Sequence, residues 1–96
     1  MTPLEYLEII QKLPCLVSGR ASEPHHLDPI GMGRNRKKQL REHYTAIPLN
    51  QEYHLGIYPE SIHALGVIRF NAKHNIDVWK EAFNLLLEHF QQETYT

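Results

Sequence analysis

Seven histidines in 96 residues exceed ordinary usage, and the spacing of four of them suggests chemistry. His25 and His26 are adjacent, in Glu23-Pro24-His25-His26-Leu27-Asp28-Pro29; His54 and His63 follow later. Imidazole gains and loses its proton near neutral pH and is the commonest metal ligand. In an extended segment, neighbouring side chains point to opposite faces. His25 and His26 therefore cannot easily share one task, but one can bind a metal while the other faces a substrate. Directly after them comes a basic run: Arg34, Arg36, Lys37, Lys38 and Arg41 place five of the ten Lys and Arg residues within eight positions. Such a run can grip a phosphate backbone, with salt-dependent affinity and no sequence specificity. By itself it also reads as a solvated loop.

The chain that must position these groups is small. A domain of this length buries only about 60% of the surface its unfolded state exposes, so a metal or partner can add usefully to its stability. With 42% hydrophobic and 22% charged residues, it reads as an ordinary soluble domain rather than a disordered one. No apolar run approaches the roughly 20 residues of a membrane span. The opening MTPLEYLEII lacks a basic region, and no signal peptide is expected. The single cysteine, Cys15, excludes an internal disulfide and fits a reducing cytoplasm. The formal net charge of −1 hides a basic middle and an acidic end: from Asp77 onward, Asp77, Glu81, Glu88 and Glu93 stand against Lys80 alone.

Pro3–Leu13 reads as an amphipathic helix with Thr2 as N-cap, Pro3 in the first turn and Pro14 as the stop. Cys15-Leu16-Val17 is expected to form a short strand, followed by a turn at Ser18-Gly19 and a long loop over 20–43. A second strand is expected over Tyr44–Leu49, with Pro48 confining it to an edge or a strand end. Pro59, Glu60 and Ser61 supply a helix start; Ile62, Leu65, Ile68 or Val67, and Phe70 give that helix its apolar side, and Asn75 its C-cap. A last helix runs from Asp77 to about Gln92, with Val78, Trp79, Ala82, Phe83, Leu86, Leu87 and Phe90 as a wide buried face. His74 and His89 read as helix-terminal or surface residues, and Asp28 as either a turn residue or a support for His26.

The pattern His25-His26-Leu27-Asp28-Pro29, then a strand, then two histidines leading into a helix, resembles the HNH nucleases of the ββα-metal class. With Gly31-Met32-Gly33-Arg34-Asn35-Arg36-Lys37-Lys38 after the histidine pair, it is similar to small bacteriophage HNH proteins related to the phage recombination-enhancement nuclease. The resemblance spans roughly Cys15 to Ile76, about two thirds of the chain. It implies one α+β domain over residues 1–96: a ββα-metal core over about 15–76, with flanking N-terminal and C-terminal helices. The implied activity is metal-dependent hydrolysis of DNA phosphodiesters, weakly sequence-specific, phage or prophage encoded, in the host cytoplasm.

Carried over by position, the resemblance makes His25, His54 and His63 ligands of a divalent ion (Zn, Mg, Mn or Ni). His26 becomes the general base, and Arg34, Arg36, Lys37, Lys38 and Arg41 the contacts to DNA. Where the family has its central Asn, this chain reads Glu42-His43-Tyr44, so His43 is the nearest polar candidate. Where many relatives carry cysteines, it has Cys15-Leu16-Val17-Ser18 and Asn50, so no structural zinc knuckle is expected. Two other readings remain open: a non-catalytic nucleic-acid-binding or adaptor protein that keeps the fold, and a small helical interaction protein whose last helix is its binding face.

Overall fold

A computed structural model describes residues 1–27 and 41–94. Its order is α1 (Pro3–Lys12), β1 (Glu23–His26), a 3-10 turn (Arg41–Thr45), β2 (Ala46–Leu49), α2 (Gln51–His54), α3 (Ile62–Leu65), α4 (Val67–His74) and α5 (Val78–Thr94). The class is α+β: a two-stranded antiparallel sheet with helices around it. Among the described residues, no helix is long and apolar enough to cross a membrane.

α1 begins with a capping box, in which the Thr2 hydroxyl accepts from the Glu5 N–H and the Glu5 carboxylate accepts from the Thr2 N–H. The first strand lies at Glu23–His26, not at Cys15–Val17 as the sequence suggests. The latter segment curls round its own sulfur: Cys15 Sγ accepts the N–H groups of Val17 and Ser18, and the Cys15 carbonyl accepts from Gly19. Those local bonds hold the backbone in a turn that no ladder could match. The expected long loop over 20–43 accordingly contains a strand.

Within the sheet, Pro24 stands opposite Pro48, flanked by Glu23↔Leu49 and His25↔Ile47. Every second pair of an antiparallel ladder exchanges no hydrogen bonds, so two residues without N–H groups can face each other there at no cost to pairing. The Pro48 carbonyl is taken from outside the sheet by the Leu16 N–H at 3.0 Å. Tyr44 and Thr45 close the 3-10 turn before β2, where the Thr45 hydroxyl donates to the Glu42 carbonyl.

All four residues of β2 are buried. Ile47 and Leu49 join Cys15, Leu27, Ile62, Phe70, Val78 and Ala82 in the larger core. Ala46, pointing the other way, joins Tyr6 and Ile10 of α1. Residues directly opposite on paired strands share a face, so His25 lies on the Ile47 side and His26 on the Ala46 side.

The helix expected after Ser61 is two helices, because Gly66 has φ +79° and ψ 165° between them. The break changes the helical phase, so that Val67 packs on the core while Ile68 is exposed. Asn75 ends α4 in the left-handed conformation, and the Asp77 carboxylate caps α5 through the Lys80 N–H. Trp79, Phe83 and Leu87, expected in the buried face, are exposed. Val78 and Ala82 are the residues of α5 that face inward, with Leu86 and Phe90 partly covered beside α1.

Candidate metal centre

His25 ends up buried, 8% exposed, because its place on β1 aims it at the core face of the sheet. His54, the last residue of α2, and His63, in the first turn of α3, come to the same place. The ring centroids are 4.9 Å apart for His25–His54 and His25–His63, and 5.1 Å apart for His54–His63. One ring nitrogen from each lies within 4.8 Å of the others, close enough to hold a metal ion. Local caps deliver both helical histidines. The Asn50 side chain accepts from Glu52 N–H at the start of α2, and the Ser61 hydroxyl accepts from Ala64 N–H at the start of α3. The nine-residue interval from His54 to His63 is taken up by turns, in which Tyr58 N–H donates to Leu55 and Ser61 N–H to Tyr58.

The electrostatics suit a cation. Burial, with the neighbouring His54 and His63, pushes the His25 pKa down to about 3, and burial with His54 lowers that of His63. His25 is therefore neutral at pH 7, with a lone pair to give, as an imidazole ligand must be. His54 Nδ1 donates to Glu23 Oε1 at 2.6 Å, which leaves Nε2 to present the lone pair. A tetrahedral ion with nitrogen at about 2.0–2.1 Å needs ligand nitrogens about 3.3 Å apart, so an inward movement of at most about 1.5 Å by these side chains completes the set. Imidazole nitrogen is in general a ligand for transition-metal ions rather than for ions that prefer all-oxygen coordination.

Glu23 was not among the residues that the sequence singled out. Its one sequence signal is period two: it stands two positions before His25 and so shares its face of β1.

On the other side of the strand, a hydrogen bond of 2.8 Å joins His26 Nε2 and His43 Nδ1. The ring centroids are 4.9 Å apart, and His43 is 6% exposed. The 3-10 turn places His43 there. The adjacent histidines thus do part company: His25 turns to His54 and His63, and His26 to His43.

No protein-family model matches this chain, and neither does a curated protein or a solved structure.

Arg34, Arg36, Lys37, Lys38 and Asp28 lie outside the described residues, and Arg41 contributes its backbone to the start of the 3-10 turn. His74 closes α4, where its Nε2 meets the Glu60 carbonyl at 2.9 Å and its ring packs on Phe70. His89 is half-buried on α5, edge-on to Tyr6, and among the described residues neither its Nε2 nor the Tyr6 hydroxyl has a hydrogen-bond partner. Both rings stand apart from the His25 cluster.

Proposed function

We propose that this chain is a metal-dependent endonuclease of the HNH type, its sheet and the helices that follow serving as a ββα-metal core, and that it hydrolyses DNA phosphodiester bonds. The observation that carries the reading is the split of the adjacent pair: His25 with two further imidazoles on one side of β1, His26 hydrogen-bonded to His43 on the other. Phosphodiester hydrolysis needs both an electrophilic and a basic centre, and consecutive residues of one strand can supply one from each face.

His25, His54 and His63 would hold the divalent ion, which when bound stabilises charge on the phosphate and on the leaving oxygen. His26 takes a proton from the attacking water as its oxygen bonds to phosphorus and the bond to the leaving oxygen breaks. His43 positions His26 through the 2.8 Å bond, in place of the family's central Asn. The basic residues Arg34, Arg36, Lys37, Lys38 and Arg41 would contact the backbone of the DNA, giving weak sequence specificity.

The test is plasmid nicking by protein stripped of metal and refilled with Mg, Mn, Ni or Zn, with His26→Ala alongside. Cleavage should return with metal and be lost in His26→Ala, while that variant keeps wild-type metal content. Metal-binding protein that never cleaves would make the chain a non-catalytic binding module. Loss of metal in His26→Ala would remove that residue from the role of base.

A further inference from the structure

Apart from Leu85, which packs beside α1, the apolar residues of α5 fall into two rows with four-residue spacing. Val78, Ala82, Leu86 and Phe90 face the protein. Trp79, Phe83 and Leu87 form the adjacent row and are 48%, 61% and 44% exposed. This second row leaves roughly 300 Å² of apolar surface in water, in the range where an exposed patch marks an interaction site. Beside it runs a third row, Lys80, Asn84 and Glu88, all exposed.

The third row carries the argument, because its charges are opposite at its two ends. When two copies of such a helix pair antiparallel about a two-fold axis near Phe83 and Asn84, like rows face each other with their directions reversed. Trp79 then meets Leu87 of the second copy and Phe83 meets Phe83. In the flanking row, Lys80 meets Glu88 of the second copy, Asn84 meets Asn84, and Glu88 meets Lys80. In a parallel two-fold pairing this row would lie against the opposite flank of the second copy, and Lys80 and Glu88 would not meet. We propose that the chain self-associates through α5 as an antiparallel two-fold dimer, with Trp79, Phe83 and Leu87 as its apolar seam and two Lys80–Glu88 pairs setting its direction.

A seam of this size belongs to the small class of interfaces, below about 1,200 Å² in total, so a dissociation constant of about 10–100 µM is expected. Trp79 is the only tryptophan in the chain and reports on the seam directly. Sedimentation equilibrium and tryptophan emission should be followed on the full chain from about 5 to about 500 µM, a span that brackets this constant. The expected result is a monomer–dimer transition with a blue shift of Trp79 emission over the same concentrations. Phe83→Asp should weaken it at least tenfold with unchanged helical circular dichroism.

Lys80→Glu and Glu88→Lys should each weaken it severalfold, because each places like charges together twice. The double swap Lys80→Glu/Glu88→Lys should return it to the wild-type constant. A monomer at every concentration overturns the proposal and leaves the seam to a different protein. So does a dimer indifferent to Phe83→Asp, or a double swap no tighter than the single variants.

Discussion

Glu23 Oε1 lies 2.6 Å from His54 Nδ1, tying the first residue of β1 to the last residue of α2. The bond fixes the ring orientation and the tautomer of a candidate metal ligand, as a carboxylate does behind a metal-bound histidine. Glu23→Ala should lower zinc affinity by about 10- to 100-fold, as read by competition with a chromogenic chelator. Glu23→Gln should lose less, since its amide oxygen still accepts from Nδ1–H. Equal affinity for wild type and Glu23→Ala would show that His54 needs no such support.

The basic run makes a prediction that depends on charge alone. Each phosphate contact contributes about −0.9 to the slope of log affinity against log salt for duplex DNA. Replacing Arg34, Arg36, Lys37 and Lys38 together by Ala should therefore make that slope shallower by up to about 3.6, with metal content unchanged. An unaltered slope would mean that the run does not touch the backbone.

The histidine cluster was legible in the sequence through the resemblance, which names His25, His54 and His63 together; short-range rules add only local geometry. Adjacent residues on a strand diverge, and a histidine just after a Pro-Glu-Ser helix start sits in a first turn. The position of the strand itself was not. Glu23-Pro24-His25-His26 is polar and carries a proline, so local propensity favours a loop; what makes Pro24 acceptable in a ladder is the register that sets it opposite residue 48, 24 positions away. Likewise, α5 offers two apolar rows, and nothing local says whether Val78 and Ala82 or Trp79 and Phe83 meet the core. The partnership of Glu23 with His54 is purely tertiary.

Burial of His25 predicts a pH dependence for the metal-free protein. In the unfolded chain, this imidazole titrates near 6.5; in the fold, its pKa is pushed down to about 3. Between those values, the unfolded state binds the proton and the folded state does not. Stability is therefore full above pH 6.5 and falls as the pH drops toward 3. Lowering the pH to 5 should cost on the order of 2 kcal/mol at this residue, less what solvent screens. The readout is the urea midpoint, in chelator, of wild type against His25→Gln. The advantage of wild type at pH 7.5 should shrink by pH 5, and parallel curves would contradict the burial argument.

Gly66 joins the helix that carries His63 to the helix that carries Phe70. Its N–H donates to the Ile62 carbonyl at 2.8 Å, and its own carbonyl accepts from Phe70 N–H at 2.9 Å, so both helices end on one residue. At φ +79° and ψ 165°, it occupies a region that side-chain-bearing residues essentially do not enter. A Cβ here would meet nothing within 4 Å, so any cost of Gly66→Ala is in the backbone alone. That cost should be about 1–3 kcal/mol, a fall in Tm of roughly 4–8 °C for each kcal/mol in a domain of this size. Gly56→Ala is the control: its Cβ would rest 3.6 Å from His63 Cβ, an ordinary contact, and its φ lies outside the left-handed range. Thermal unfolding of the two variants should separate them clearly. Equal Tm values would mean that α3 and α4 can meet through a different backbone geometry, and that the position of His63 does not depend on this glycine.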